Sequence, residues 1–171
     1  CPGMSRGLIE VEDVYRRLGG HDVLAGAGFS VARGETVALV GINGAGKSTL
    51  IKILLDLRAL DAGRIEVDGH PHTDRHARAC LAYLPERFQP PYFLRGAQYL
   101  DYTGRLYRNP RAHADVVSMA RRLGLDDHDL ERPAKTYSKG MAQMLGLAGC
   151  LLSGRELLVL DEPMSGLDPT A

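Results

Sequence analysis

Two stretches of this 171-residue chain carry residue types that do phosphate chemistry. The first reads Gly41-Ile42-Asn43-Gly44-Ala45-Gly46-Lys47-Ser48-Thr49 and fits the spacing G-x-x-x-x-G-K-[ST]. Glycines so spaced let the backbone wrap closely around an anion and turn its N–H groups inward. Lys47 supplies a point charge to the outer phosphates of a nucleotide, and Ser48 offers a hydroxyl to Mg2+. A dinucleotide fingerprint is spaced differently, G-x-G-x-x-G, whereas the order here is G-x-x-G-x-G. The second stretch is Leu157-Leu158-Val159-Leu160-Asp161-Glu162. A carboxylate at the end of a buried strand is where a nucleotide-binding sheet places its metal partner, which gives Asp161 that role. Glu162, beside it, is suited to polarising an attacking water.

Such residues need elements to hold them. Thr36–Val40 is almost wholly apolar, reads as a strand covered on both faces, and runs into the glycine loop. The apolar-rich run from Leu50 to Leu57 reads as a helix whose positive end faces the same loop. Upstream, Leu8–Val14 alternates like a half-buried strand, and a turn at Arg33-Gly34 separates a strand ending at Val31 from Thr36–Val40. Gly63–Gly69 and Leu81–Leu84 read as further short strands, the latter stopped by Pro85. From Arg95 to Leu152 the texture is helical. Ala112, Val116, Ala120 and Leu123 recur at helical spacing, and Gly124 stands where a helix C-cap belongs. Strand texture returns at Leu157. The order is that of an α/β protein: a β-rich start, a strand-loop-helix unit, a helical block, then a buried strand.

Bulk properties exclude several classes. Basic and acidic residues balance at 21 each, which leaves no electrostatic footprint for nucleic acid. Cations are mostly Arg; the four Lys are Lys47, Lys52, Lys135 and Lys139. Cys1, Cys80 and Cys150 are far apart and odd in number, which fits a reducing compartment rather than a disulfide framework. No signal-peptide pattern and no run of 18 apolar residues is present. His70, His72 and His76 stand near Asp74 at a spacing that could ligate metal, although a polar loop after a strand more often carries such histidines as surface.

Two further motifs carry a family likeness. Tyr137-Ser138-Lys139-Gly140-Met141 places Ser138 91 residues after Lys47. The acidic strand follows, and then Ser165-Gly166-Leu167-Asp168. Taken in this order from about Leu8 to Thr170, the chain resembles the ATP-binding cassette (ABC) family. That resemblance implies a P-loop NTPase fold over residues 8–171. It consists of a RecA-like parallel sheet core, an N-terminal antiparallel β subdomain and a helical subdomain inserted over residues 87–152. It also implies that the last core strands are missing. One such strand lies between the loop strand and the Asp161 strand, so the 171-residue chain alone is expected to fold poorly and to hydrolyse ATP slowly or not at all.

The resemblance further implies ATP and Mg2+ as ligands. Tyr15 would stack on adenine. Asn43, Gly44, Ala45, Gly46, Lys47, Ser48 and Thr49 would hold the phosphates. Ser48, Asp161 and Glu86 would serve the metal, Glu86 standing in Tyr83-Leu84-Pro85-Glu86-Arg87-Phe88 where the family has Gln. Glu162 would be catalytic. Two cassettes sandwich two ATP molecules, so Ser138 and Gly140 would meet the γ phosphate of the partner's nucleotide, with Ser138 capping the helix behind it. Asp168 matches the loop that crosses between cassettes. The signature departs from L-S-G-G-Q at Tyr137, Lys139 and Met141, and Met144 stands where Arg is usual. Such forms look like those of exporter cassettes that pair with a separate integral membrane permease, which implies a cytoplasmic protein bound peripherally at the membrane. Phe88, Tyr92 and Phe93 could form a socket for that permease or simply pack the helical block. Two alternatives stay open. One is a soluble ABC ATPase acting on nucleic acid or ribosomes, although 91 residues leave no room for a long coiled coil. The other is a truncated remnant that binds nucleotide without turnover.

Overall fold

The computed structural model describes residues 7–164. They fall into two compact units, one ending at Leu81 and one beginning at Ala82.

In the first unit, strands β1 (Ile9–Leu18) and β2 (His21–Val31) form an antiparallel hairpin. Gly19 and Gly20 turn the corner with φ of 57° and 85°, and a two-residue hairpin turn favours residues that accept positive φ. Helix α1 (Lys47–Leu54) follows the glycine loop. Strands β3 (Ala62–Val67) and β4 (His70–Pro71) complete a four-stranded sheet ordered β2-β1-β3-β4. β1 shows why simple alternation misreads this strand. Ile9 and Val11 are buried, but the next buried residue is Val14, because a register shift falls between Val11 and Val14. Asp13 sits in that bulge with φ 45° and turns the following residues over by one position. Gly63 faces the bulge so closely that a Cβ there would overlap the Asp13 carbonyl.

One expectation fails. Thr36–Val40 takes no part in either sheet and is exposed, Val40 at 91% and the following Ile42 at 83%. A strand buried on both faces is stable only when neighbours take up its N–H and C=O groups, and neither described sheet supplies them. The polar segment after β3 is also more ordered than a loop: β4 is followed by helix α2 (Arg75–Ala79), which Asp74 caps.

The second unit contains all but the first residue of strand β5 (Leu81–Leu84) and helices α3 (Gly96–Leu106), α4 (His113–Arg122) and α5 (Asp127–Glu131). A single 3-10 turn (Ala134–Thr136), helix α6 (Lys139–Leu152) and strand β6 (Leu157–Leu160) follow. β5 and β6 pair as a two-stranded sheet. The helical block expected from Arg95 onward is present. Gly124 stands one residue beyond the α4 C-cap with φ 79°, as read from the sequence. Leu100, Val116, Ala120, Leu125, Leu130 and Leu145 fill the core between these helices. α6 also lies hard against β5: a Cβ on Gly146 would stand 2.6 Å from Leu84 Cδ1 and 2.7 Å from Phe88 Cδ1. Neither Cys80 nor Cys150 is in a disulfide. Among the described residues no helix is long and apolar enough to cross a membrane.

Candidate nucleotide-binding site

The phosphate loop is shaped by its glycines. Gly44 and Gly46 have φ of 86° and 87°, in the left-handed region. Gly46 is buried against β2: a Cβ there would stand 2.6 Å from the Val23 carbonyl oxygen and 2.9 Å from Leu24 Cδ2. Lys47 Nζ reaches back along the loop and donates to the carbonyls of Gly41 at 2.7 Å and Ile42 at 3.0 Å. The first turn of α1 carries no acidic residue, so no carboxylate of its own offsets the positive end of the helix. Asn43, Gly44, Ala45 and Ser48 are exposed, and Thr49 is half-buried. Exposed backbone around a fixed cation, at the mouth of an uncompensated helix N-terminus, is a donor set that fits a polyphosphate.

Tyr15 lies in β1 with its side chain about half exposed, against Gly26, where a Cβ would stand 3.0 Å from Tyr15 Oη. Its backbone is pinned by Asp61, whose N–H donates to the Tyr15 carbonyl at 3.0 Å. The Asp61 carboxylate accepts from Arg17 N–H at 2.7 Å and from Arg16 Nη1 at 2.6 Å. The Arg17 amide foremost, with the Arg16 charge behind it, holds the Asp61 carboxyl below its ordinary range. An exposed ring on a fixed backbone offers a π face to a base.

The second unit carries the remaining candidate residues. Ser138 caps α6 and accepts from Met141 N–H at 3.1 Å, as anticipated from the sequence. The first turn of α6, which contains Gly140, also lacks an acidic residue. Tyr137, just before the cap, donates its hydroxyl to the Asp129 carbonyl at 2.6 Å. Burial pushes its phenol up to about 12, so it stays a donor at neutral pH. Gln143, one turn into α6, is 1% exposed and donates from Nε2 to the Pro85 carbonyl at 3.3 Å. That bond fastens the signature helix to the residue before Glu86. Glu86, Phe88, Tyr92, Ser138, Lys139 and Gln143 share one cleft of about 570 Å³. Asp161 ends β6 with its N–H donating to the Leu84 carbonyl at 2.9 Å, and the residue is buried. Burial first, and then the charges of Asp161 and Glu86, push the Tyr83 phenol in β5 up. Glu162 is exposed with φ 49°, a left-handed conformation that ends the strand.

Tyr15 and Asn43 to Thr49 thus belong to the first unit, and Glu86, Ser138, Gly140, Asp161 and Glu162 to the second. Asp168 lies outside the described residues. Sequence reading missed Asp61, which has no local signal because its partners are 44 and 45 positions away. It also missed Gln143, whose signal was available: a lone amide in the otherwise small and apolar run Gly140 to Leu152.

Comparison with known proteins agrees with this geometry. A family model described as ABC transporter matches residues 24–165. An uncharacterized ABC transporter ATP-binding protein of Synechocystis is 40% identical over 149 residues, covering 82% of this chain and 41% of its own length. A daunorubicin resistance ATP-binding protein of Streptomyces coeruleorubidus is 39% identical over 173 residues, covering 97% of this chain and 54% of its own. The chain therefore spans about half the length of these relatives. A solved structure of a putative ABC transporter ATP-binding protein from Pyrococcus furiosus superposes with a TM-score of 0.86 at 25% identity, covering 95% of this chain and 78% of that one. The chain belongs to the ABC transporter ATP-binding family and has its P-loop NTPase fold.

Proposed function

We propose that this chain is the nucleotide-binding part of an ATP-hydrolysing subunit that drives an exporter through a separate membrane permease. The observation that carries the reading is the phosphate loop, where Gly46 is pressed onto β2 and Lys47 is held over the loop at the open end of α1. In this reading Tyr15 stacks on adenine, Asn43 to Thr49 cradle the phosphates, and Ser48, Asp161 and Glu86 serve Mg2+. Glu162 orients the water that attacks the γ phosphate. Ser138 and Gly140 present the start of α6 to a nucleotide held by a second cassette. Closure of two cassettes around ATP, and reopening after hydrolysis, would move the permease. The membrane association follows from that partner, and Phe88 and Tyr92 in the cleft suit an apolar docking element. Export is favoured by the name of the Streptomyces relative, a resistance protein.

The test is a titration with a fluorescent ATP analogue. The full-length subunit should bind it in the presence of Mg2+, and Lys47→Ala should weaken binding at least about 100-fold, since a charge-assisted phosphate contact is lost. In the full-length subunit Glu162→Gln should leave binding intact and remove turnover. Unchanged affinity in Lys47→Ala would sink the assignment. A second reading, binding without turnover by these 171 residues alone, is favoured by the exposed run Val37 to Ile42, which leaves the segment leading into the loop outside both described sheets. ATPase activity of this chain that Glu162→Gln abolishes would overturn it.

A further inference from the structure

We propose that His70, Asp74 and His76 form a site for a late first-row divalent cation of the zinc class, on the β4–α2 corner and separate in chemistry from the nucleotide's Mg2+. One ligand atom from each of the three lies within 4.8 Å of the other two. Ligands of a tetrahedral zinc stand about 3.4 Å apart, so closure needs contraction of little more than about 1 Å by exposed side chains. Two of the three are already oriented. Asp74 caps α2, its Oδ1 accepting from His76 N–H at 2.8 Å and lying 2.9 Å from His76 Nδ1. With the proton on Nε2, His76 Nδ1 keeps its lone pair, and Nδ1 and the Asp74 carboxylate 2.9 Å away can face one ion together. His70 is anchored in β4 opposite Val67, and its ring stacks on that of His76 with centroids 5.3 Å apart and planes at 28°. Two imidazoles side by side above a carboxylate are a donor set for Zn2+, Ni2+ or Cu2+ and a poor one for Mg2+ or Ca2+.

The neighbouring histidine behaves differently. His72 is buried, with Nδ1 3.3 Å from the Ile65 carbonyl, and serves the interior. A second cluster, Asp126, His128 and Asp129, carries no comparable case. It offers a single imidazole, and its carboxylates are spent on the reciprocal cap of α5 and on Arg132. Occupancy of the first cluster would tie β4 to α2 on the unit that carries the phosphate loop.

The experiment is titration of the tag-free 171-residue chain with Zn2+ by calorimetry, and with Co2+ followed by its visible absorption. The expected result is one Zn2+ per chain with a Kd on the order of 10 µM or tighter, unaffected by millimolar Mg2+, and a rise in Tm with Zn2+. His70→Ala and His76→Ala should each weaken binding at least about tenfold, and His128→Ala should not. Both histidines are exposed, so the Tm of the metal-free variants should match that of the parent. Weaker binding by the parent chain, displacement by Mg2+, or equal affinity in the His70→Ala/His76→Ala double variant overturns the proposal.

Discussion

Gly46 and Val23 are in such close register that no side chain fits between them: a Cβ on Gly46 would stand 2.6 Å from the Val23 carbonyl oxygen. The phosphate loop is therefore anchored at its last glycine to Val23 of β2, a residue more than twenty positions earlier. Gly44 has the same left-handed backbone, φ 86°, but open space where a Cβ would go. The two positions separate conformational strain from steric collision. Gly44→Ala should cost about 1 kcal/mol, the penalty for an L residue at positive φ. Gly46→Ala should cost clearly more and also displace Lys47, lowering nucleotide affinity far more than Gly44→Ala does. Chemical denaturation and nucleotide titration of the two variants check the ordering; equal losses would mean that the contact with Val23 does not hold the loop.

Ser138 caps α6, and the proposed function gives it a second role that substitution can separate from the first. Its hydroxyl accepts from Met141 N–H, and loss of such a cap in Ser138→Ala should cost about 1 kcal/mol. Asp caps a helix as well as Ser does, so Ser138→Asp should retain the stability. Its charge, however, would face a γ phosphate if α6 meets one across a cassette pair. In the full-length subunit Ser138→Asp should therefore abolish ATP-driven dimerisation while leaving the Tm within about 2 °C of the parent. Dimerisation at parental strength, measured by light scattering with ATP, would remove Ser138 from the site.

Local motifs were legible in the sequence because their physics is local. The glycine loop, the Ser138 cap, the Gly124 helix end and the apolar strand running into Asp161 each act within a few residues, and each stands where expected. What depended on distant partners was not legible. Thr36–Val40 has the composition of a buried strand, but composition supplies no neighbour, and the run is exposed. β1 keeps Val14 inward only through the Asp13 bulge, whose counterpart is Gly63, fifty residues on. The histidine segment is surface, as its composition suggests, but only the short strand and helix around it bring His70 and His76 face to face.

Asp61 gives a pH signature. Its carboxyl is held below the ordinary 3.8 by the Arg17 amide and by Arg16. A lowered folded-state value means that the folded state binds the proton less readily than the unfolded chain. Its contribution is therefore complete above the unfolded value and is lost as pH falls through the lowered folded one. Asp61→Asn should thus be less stable than the parent at pH 6 to 7, with the gap closing as pH drops below about 4. Thermal melts of both proteins across that range check the sign; a gap that widens in acid contradicts the hydrogen-bond assignment. The bond from the Asp61 N–H to the Tyr15 carbonyl belongs to the main chain and is kept in Asp61→Asn, so the variant reads the carboxylate alone.

The closeness of α6 to β5 makes the last prediction. Gly146 admits no side chain without moving Leu84 or Phe88, which would lie 2.6 and 2.7 Å from a new Cβ. Phe88 is also tied to Tyr99, with ring centroids 5.6 Å apart, so it has little freedom to give way. Gly146→Ala should therefore destabilise by about 1 to 3 kcal/mol, the usual cost of overpacking, although Ala is the better helix former by about 1 kcal/mol. The collision wins because the obstructing atoms belong to packed side chains rather than to solvent-facing ends. Phe88→Leu removes the ring atoms on one side and should cost stability alone by opening a cavity. In the double variant the new methyl partly fills the space the ring has left. The two changes should then couple favourably, the double variant being more stable than the sum of the single losses by about 0.5 kcal/mol or more. Denaturation of the four proteins gives that coupling directly. Strict additivity would place the helix farther from Phe88 than the structure does, and would loosen the link between the signature helix and the Glu86 loop that precedes Phe88.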